Sequence, residues 1–352
     1  MTRRLVARLD NLGDVVLAGP AVRAVAGDGA PVTFLAGPNG AQAAELLPGV
    51  DAVMEFDAPW VPFESGKTDR SSIDALVDAV AAAAIDEAVI LTSFHQSPLP
   101  LALLLRLAGV GRIAATSIDY PGSLLDIRHP YMPSLHEVEQ SLSLCAAAGF
   151  SLPQGDDGSL RLAFDEPSTA LADVTGGGPY VVVHPGASVP ARRLPCEETA
   201  ALIAAITARD LHVVVTGTMA ERGRAEHVAA LGVASKTHVV AGTMDVAGLA
   251  GLLAGANAAV CGNTAAMHLA AAVGTPVVVA FAPVVPAHRW RPWKVEHSLL
   301  GVLDIECAGC RSRRCPIPGQ PCLRPFTAST VLASLEELGS LNRIRSAAAV
   351  GS

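Results

Sequence analysis

The sequence predicts an α/β protein of two domains, each built around a parallel β-sheet. Short apolar strands alternate with helical patterns in both halves of the chain, which is typical of parallel sheets covered by helices. Apolar residues make up 51% of the chain and aromatic residues only 4%, which favours closely packed helices on β-branched strands over an aromatic-rich sandwich. The length of 352 residues favours two domains of moderate size over one.

The first half of the chain is predicted to form a domain over residues 1–160. Its apolar runs predict strands near 4–9, 31–36, 51–56, 88–93 and 112–115, and its amphipathic runs predict helices near 14–26, 40–47, 72–84, 98–108 and 135–149. Between Gly149 and Gly178 the pattern gives way to a polar stretch that contains proline and glycine. We interpret this stretch as the interdomain linker.

The second half is predicted to form a domain over residues 176–325. We expect strands near 180–183, 211–216, 238–240, 257–261 and 276–280, and helices near 197–209, 220–232, 245–254 and 264–273. A cysteine-rich loop follows over 305–323, and a segment over 326–345, helical near 328–338, is expected to pack back toward the first domain. In both domains ligand-binding residues are expected at the carboxyl ends of the strands.

Charge and hydropathy exclude several classes of protein. A net charge of −8 argues against a nucleic-acid-binding protein. Arg8, Asp10 and Asp14 interrupt the apolar core that a signal peptide would need. No charged residue occurs over 246–287, but glycine, asparagine and proline divide this stretch into pieces of about ten residues, whereas a membrane span needs about 20. We expect a cytoplasmic protein with at most peripheral contact with the inner face of the membrane.

The segment Arg8-Leu9-Asp10-Asn11-Leu12-Gly13-Asp14 joins the first strand to the first helix. Gly13 allows the backbone to approach a ligand closely. Asp14 lies where the free N–H groups and the positive dipole end of a helix stabilise a carboxylate. The alternative interpretation is that Asp14 only caps the helix.

Three loops of the second half could bind an anion, and each follows a predicted strand. Gly186, Ala187 and Ser188 could surround a phosphate with N–H groups and a hydroxyl, and Arg192 or Arg193 could pair with it. Asn263 or Thr264 could cap a helix that has His268 one turn further on. Glu221 could accept hydrogen bonds from a ribose. The alternatives are a simple connector, a packed core histidine and a glutamate that complements the helix dipole.

Four cysteines lie within 16 residues near the end of the second half: Cys307, Cys310, Cys315 and Cys322. In a cytoplasmic chain such a cluster favours a metal site over disulfides. The second pair does not have the usual Cys-x-x-Cys spacing, so a structural Zn²⁺ site is one of two interpretations and disulfides are the other.

Six segments in order along the chain carry a resemblance to a known family. They are 8–14, Leu135-His136-Glu137-Val138, His184-Pro185-Gly186-Ala187, Arg192-Arg193-Leu194-Pro195, Thr216-Gly217 with Glu221, and 263–276. Together they resemble the bacterial heptosyltransferases of glycosyltransferase family 9, over roughly residues 3–326. The resemblance implies a GT-B fold, in which two Rossmann-like domains with parallel sheets face a central cleft. It also implies that the first domain holds the acceptor, that the second holds a nucleotide-sugar such as ADP-heptose, and that transfer inverts the anomeric carbon and requires no metal cofactor.

The resemblance also implies roles for single residues. Asp14 is similar to the base that takes the proton of the acceptor hydroxyl, and Glu221 is similar to the ribose contact. The remaining donor-binding residues implied are Ser188, Arg192, Asn263, Thr264, Ala265 and His268, with backbone contacts from Gly13, Gly186 and Ala187. Loops that carry His95, Gln96, Tyr120, Arg128 and His129 are expected to line the acceptor site. The family usually has Lys at position 192, Trp at 194 and Gly at 265, and Asp is common at 263.

Three other functions compete with this interpretation. An NAD-dependent dehydrogenase is disfavoured because no Gly-x-Gly-x-x-Gly opens either half. A nucleotide-sugar-binding protein without catalysis would keep the same anion loops. A transferase of the same family could use a different sugar or acceptor, in cell-surface glycan or secondary-metabolite assembly.

Overall fold

The computed structural model describes residues 2–61, 68–93, 95–164 and 175–341. The chain divides into two compact units, Met1–Ala163 and Phe164–Ser352, which we call the first and second domains. The predicted boundary at 160 therefore lies within a few residues of the observed one.

The first domain has a parallel sheet, which counts six strands among the described residues, in the order β3-β2-β1-β4-β5-β6. The central strand β1 is completely buried, because helices cover both faces of the sheet. The elements in chain order are β1 (Arg4–Arg8), α1 (Leu12–Leu17), α2 (Gly19–Val25), β2 (Val32–Ala36), α3 (Ala41–Glu45), β3 (Ala52–Glu55), α4 (Arg70–Ala82), β4 (Glu87–Ile90), α5 (Leu99–Leu107), β5 (Arg112–Thr116), β6 (Ile127–His129) and α6 (Glu137–Ala147).

Two features of this domain differ from the sequence-based expectation. The helix expected over 14–26 is divided into α1 and α2, because Pro20 in the first turn of α2 has no N–H group to continue the α1 ladder. Strand β6 was not predicted. It has three residues at the edge of the sheet and one apolar side chain, which is too short a pattern to recognise.

The second domain repeats this architecture with a parallel sheet, again of six strands within the described ranges, in the order β12-β11-β10-β7-β8-β9. The elements are β7 (Tyr180–His184), α7 (Cys196–Thr207), β8 (His212–Val215), α8 (Arg222–Ala229), β9 (Thr237–Val239), α9 (Val246–Ala254), β10 (Ala258–Gly262), α10 (Ala265–Ala272), β11 (Val277–Ala280), α11 (Ala287–Trp290), β12 (His297–Leu300) and α12 (Ala328–Glu337). Helix α11 and the edge strand β12 were not predicted.

The first part of the expected linker belongs to the first domain. The Arg23 guanidinium lies 2.6 Å from the Asp156 carboxylate and donates to the Ser159 carbonyl at 2.7 Å. The Ala163 N–H donates to the Leu46 carbonyl at 2.7 Å. The stretch up to Ala163 is therefore packed on the first domain and is not a free connector, whereas residues 165–174 of the expected linker lie outside the described residues.

Helix α12 belongs to the hydrophobic core of the second domain, and the expected packing of the 326–345 segment toward the first domain stays a prediction. Val331 and Leu335 are completely buried in the hydrophobic core of the second domain, together with Leu323 and Phe326. The helix is amphipathic, and its apolar stripe covers the same sheet that α7 covers. The described part of the C-terminal segment is thus a layer of the second domain. Among the described residues, we find no helix with the length and hydropathy required to cross a bilayer.

Candidate functional site

In the first domain, charged side chains gather at the carboxyl end of β1. Arg8 is the last residue of this strand, and its side chain is 3% exposed. Its Nε atom lies 2.6 Å from Asp10 Oδ2, and its Nη2 atom lies 3.2 Å from Asp14 Oδ1 and 3.5 Å from Glu137 Oε2. The carboxylates come from the β1–α1 loop, from the first turn of α1 and from the first residue of α6. One guanidinium is therefore surrounded by three carboxylates.

Hydrogen bonds from the loop after β4 complete this cluster. The Ser93 hydroxyl accepts from Arg8 Nη2 at 3.0 Å and donates to Asp10 Oδ2 at 3.1 Å. The Gln96 amide donates to the other oxygen of Asp10. Burial alone would lower the pKa of Arg8, but the charges of Asp10, Asp14 and Glu137 outweigh it and raise that pKa. Arg8 is therefore a permanent cation at this edge of the sheet.

Asp14 is the most accessible carboxylate of this cluster. Its side chain is 19% exposed, against 5% for Asp10 and 2% for Glu137. Because it sits in the first turn of α1 and contacts Arg8, the site favours its ionised form. The predicted base thus reaches solvent, and the other two carboxylates do not.

The residues expected at the acceptor site lie at the same edge of the sheet, but they differ in surroundings. His95 and Gln96 follow β4, and Gln96 joins the Asp10 cluster. The Tyr120 side chain is 85% exposed. The Arg128 guanidinium donates to the carbonyls of Ser117 and Ile118 and shapes their loop.

His129 is buried and both its ring nitrogens have partners within the first domain. Nδ1 lies 3.0 Å from Thr116 Oγ1, and Nε2 lies 3.0 Å from Ser143 Oγ. Burial lowers the pKa of this imidazole. His129 is therefore a satisfied core histidine, and its expected place in the acceptor pocket is not supported by its contacts.

In the second domain, the three predicted anion loops follow neighbouring strands. Strand β7 lies between β10 and β8, with His184 opposite Cys261 and Val183 opposite Val215. All three strands are parallel, so their carboxyl ends meet at one edge of the sheet. The loop 185–189, the turn Met219–Glu221 and residues 262–264 therefore lie side by side.

Close backbone approach explains two glycines at this edge. A Cβ atom on Gly262 would clash with the Arg192 carbonyl oxygen, and one on Gly186 would clash with the Glu221 carboxylate. Arg192 ends a single 3-10 turn, Pro190–Arg192, and is half-buried there. Ala187 is buried, and its carbonyl accepts from Arg193 Nε at 3.1 Å, whereas Ser188 is exposed. The Arg192 turn thus lies directly against the end of β10.

Glu221 already has a structural role. Its Oε2 atom accepts from the Thr218 N–H at 2.9 Å and from the Thr218 hydroxyl at 3.0 Å, which forms a capping box. It also faces His184. Burial lowers the pKa of His184, although the negative charge of Glu221 opposes that shift. A contact of Glu221 with a ribose stays a prediction.

The start of α10 has the geometry of an anion site. Thr264 is the N-cap residue, and its side chain makes no capping bond. Its Oγ1 atom is buried and has no hydrogen-bond partner among the described residues. His268, one turn along α10, is buried. Ala265 is the first residue of α10 and has no positive φ, so alanine fits there without backbone strain although the family usually has glycine.

Asn263 shapes this loop through its side chain. Its amide nitrogen donates to the Ala282 carbonyl at 3.1 Å, and its amide oxygen accepts from the Ala282 N–H at 3.2 Å. Asn263 is 4% exposed. Its side chain therefore ties the end of β10 to the segment after β11, and its proposed contribution to donor binding is indirect.

The four cysteines line one cavity in the second domain, together with Ala191, Pro283 and Gln320. All four are free thiols. Burial raises the pKa of the Cys322 thiol. Within the described residues, no group of three or more His, Cys, Asp or Glu side chains has the arrangement of a metal site. Structural zinc stays a prediction.

Sequence reasoning named Arg8, Asp10 and Glu137 within motifs but gave them no role. The sequence did contain a signal, because the apolar strand β1 ends in the charged residue Arg8. A charged side chain at such a position is seldom buried without a partner of opposite charge. The contact between Arg8 and Glu137 joins distant parts of the first domain, so the pattern alone could not reveal it.

Comparisons with known proteins show the family of this chain. Residues 98–320 match the family model described as glycosyltransferase family 9 (heptosyltransferase). The chain is 31% identical over 191 residues to lipopolysaccharide heptosyltransferase 1 of Pseudomonas aeruginosa. That alignment covers 53% of this chain and 50% of the relative, so the matched region spans about half the length of the curated relative.

Solved structures show the same fold. A glycosyl transferase of family 9 from Veillonella parvula has a TM-score of 0.79 at 17% identity and covers 96% of this chain and 97% of that one. E. coli ADP-heptose lps heptosyltransferase II has a TM-score of 0.74 at 18% identity, covering 96% and 98%. E. coli heptosyltransferase WaaC with ADP-2-deoxy-2-fluoro heptose has a TM-score of 0.71 at 20% identity, covering 96% and 99%. The predicted GT-B class with two Rossmann-like domains is confirmed, and because the family model matches more than half of the sequence, the chain belongs to glycosyltransferase family 9.

Proposed function

We propose that the protein is an inverting glycosyltransferase that moves a sugar from a nucleoside diphosphate to a hydroxyl group of a glycan or glycolipid. The observation that carries this proposal is the buried hydroxyl of Thr264, which has no partner among the described residues and lies at the N-terminus of α10. A buried hydroxyl without a partner costs free energy. A phosphate oxygen would satisfy it, and the N–H groups of the first turn would bind the same anion.

The donor is proposed to bind at the carboxyl edge of the second sheet. As the bond between the sugar and the diphosphate breaks, negative charge grows on the leaving group and positive charge on the sugar ring. The start of α10 and the Arg192 guanidinium would stabilise that leaving group. These groups supply the charge that a divalent cation would otherwise supply, so we propose that transfer needs no metal. Ser188 and His268 are proposed as further diphosphate contacts, and Glu221 as the ribose contact.

The acceptor is proposed to bind at the carboxyl edge of the first sheet, where Asp14 would take its proton. An ionised carboxylate is a weak base toward an alcohol in its ground state. It becomes effective once the hydroxyl attacks a carbon that already carries positive charge, because the acidity of the hydroxyl rises along the reaction. The 19% exposure of Asp14 leaves room for that contact.

ADP-heptose is the donor that we propose, because one solved relative is named an ADP-heptose heptosyltransferase and another is described with ADP-2-deoxy-2-fluoro heptose. The sugar and the base of the nucleotide can be tested together by thermal shift with ADP, UDP and GDP and their sugars. A ligand at a hundred times its Kd stabilises the folded state by roughly 2.7 kcal/mol. If UDP or GDP stabilises the protein and ADP does not, the donor is a different nucleotide-sugar.

Asp14→Asn tests the reaction. We expect the variant to lose transfer by about 10²-fold or more, while the Kd of ADP stays within about twofold, because the base acts on the acceptor. Turnover and ADP affinity should be measured on the same preparation. A variant with a tenth or more of the wild-type turnover would remove Asp14 from this role. A wild-type protein that binds nucleotide-sugars but transfers none of them would favour the binding protein without catalysis.

A further inference from the structure

The cluster at the end of β1 contains more carboxylates than the proposed reaction uses. Asp14 alone has a proposed chemical role, yet Asp10 and Glu137 are more deeply buried beside the same guanidinium. Burial of a carboxylate costs free energy unless charges and hydrogen bonds compensate for it. Three carboxylates and one guanidinium leave the cluster with a net charge of −2 when all of them are ionised.

Glu137 takes no part in the capping box of the helix that it begins. The capping box of α6 is made by His136, whose side chain accepts from the Val138 N–H at 3.2 Å, and by Glu139, which accepts from the His136 N–H at 2.9 Å. The Glu137 carboxylate lies instead 3.5 Å from Arg8 Nη2 and is 2% exposed. Helix capping therefore does not explain why a carboxylate is buried at this position.

Arg8 on its own would weaken the base. A guanidinium 3.2 Å from Asp14 stabilises the ionised carboxylate and so reduces its affinity for a proton. Glu137 contacts the same Nη2 atom, so its carboxylate lies within two ion-pair distances of Asp14. Its negative charge, with that of Asp10, offsets the effect of Arg8 on Asp14.

We propose that Glu137 is a positioning residue for the reaction base: with Asp10 it holds Arg8 beside Asp14 and offsets the positive charge there, so that Asp14 is both oriented and basic. This inference rests on the proposed transferase function, because it assumes that Asp14 receives a proton. Arg8 then orients Asp14. The negative charges of Asp10 and Glu137 keep Arg8 from lowering the proton affinity of Asp14 so far that Asp14 no longer acts as a base.

The ionisable groups near the cluster are of two kinds. Some are paired with residues outside the cluster, and the others belong to the cluster or are next to its members in the chain. On α2, which packs against α6, Arg23 is paired with Asp156. On β6, His129 is bonded to Thr116 and Ser143. The ionisable groups of the cluster and its immediate chain neighbours are Arg8 from β1, Asp10 from the loop after it, Asp14 from α1, His95 from the loop after β4, and His136 and Glu137 from the start of α6.

The test is Glu137→Gln, which removes one negative charge and keeps the size of the side chain. We expect the midpoint of Asp14 protonation, followed by NMR of the side-chain carboxyl in protein without substrate, to fall by about one pH unit. The acidic limb of the kcat profile should move to lower pH by the same amount, and the plateau kcat should fall by roughly threefold or more. The Kd of ADP should not change.

Glu139→Gln is the matched control, since it removes a negative charge from the same helical turn but does not contact Arg8. It should leave both the Asp14 midpoint and the kcat profile where they are. Glu137→Asp, which restores the carboxylate, should return the midpoint toward the wild-type value and so separates charge from side-chain length. If Glu137→Gln does not fold, Asp10→Asn should shift the Asp14 midpoint in the same direction.

The proposal is overturned if the Asp14 midpoint in Glu137→Gln stays within about 0.2 pH units of the wild-type value. The same result in Asp10→Asn overturns it if Glu137→Gln does not fold. It is also overturned if Glu139→Gln shifts the midpoint as far as Glu137→Gln does. The NMR titration needs no turnover. A wild-type protein that transfers no sugar would therefore refute the proposed function, while the Asp14 midpoints would still decide whether Glu137 sets the basicity of Asp14.

Discussion

Replacement of Thr264 by valine should stabilise the protein without ligand and weaken its affinity for a diphosphate. The Thr264 hydroxyl is buried, and neither a capping bond nor any other partner satisfies it among the described residues. An unsatisfied buried polar group costs about 1–3 kcal/mol, and valine has the same shape without the hydroxyl. We expect the free energy of unfolding to rise by about 1 kcal/mol, which corresponds to roughly 2–4 °C in Tm for a domain of this size.

The same substitution removes a donor from the proposed phosphate site. A hydrogen bond to a charged group is worth about 1.5–3 kcal/mol, so the Kd of ADP should rise by about 10- to 100-fold. Chemical denaturation without ligand and isothermal titration with ADP measure the two effects on one preparation. The opposite signs matter, because general damage to the loop would lower both stability and affinity.

Thr275→Val is the matched control for this experiment. Thr275 is completely buried in the same domain, and its hydroxyl donates to the Leu253 carbonyl at 2.7 Å. Its loss should therefore destabilise the domain by about 1 kcal/mol and leave ADP affinity unchanged. If Thr264→Val destabilises the protein as Thr275→Val does, or if it binds ADP as tightly as the wild type, then Thr264 does not mark a phosphate site.

Three further predictions test other parts of the structure. Arg192→Ala should weaken ADP binding by about 1.5–3 kcal/mol and AMP binding by less, as measured by titration calorimetry; equal losses would place Arg192 away from the diphosphate. Hydrogen bonding to Arg23 lowers the pKa of Asp156 to about 2, so this pair stabilises the fold at neutral pH and loses its effect as pH falls from about 4 toward 2. Asp156→Asn should therefore be less stable than the wild type by about 2 kcal/mol in urea unfolding at pH 7, with a smaller difference near pH 3; a difference that is constant with pH would contradict this account. If the four cysteines bind zinc, elemental analysis should find about one equivalent of metal, and chelation should lower Tm without changing turnover of the remaining folded enzyme, whereas four titratable thiols and no metal would refute the site.

The central strands were predictable because the residues that favour an extended backbone are also the apolar residues that the buried sheet requires. Strand β7 and strand β11 are runs of apolar, mostly β-branched residues, and both are buried between helices. Strands β6 and β12 lie at sheet edges, where one neighbour and partial burial suffice. Their sequences need not be apolar throughout, so hydrophobic periodicity does not identify them.

The loops proposed to bind the donor were predictable in position but not in detail. A strand followed by a small-residue loop and a helix is a candidate anion site that the sequence alone can locate. Whether Ala265 fits there depends on its φ. Whether the Asn263 side chain is available to a ligand depends on the Ala282 backbone, to which both polar atoms of the side-chain amide are hydrogen-bonded. Both facts arise from tertiary structure, because the segment after β11 supplies the partner.

The proposed role of Asp14 as the reaction base shows why a motif is an incomplete description of a candidate site. Within the motif, Asp14 has a helix N-terminus and Arg8 as neighbours, and both favour its ionised form. Only the start of α6 brings Glu137 to the other side of the same guanidinium. The negative charge of Glu137 opposes the positive charge of Arg8. At these distances each charge changes the proton affinity of Asp14 by about one pH unit or more. A chain that kept the motif but had a neutral residue at position 137 would therefore hold Asp14 in the same place with less ability to accept a proton.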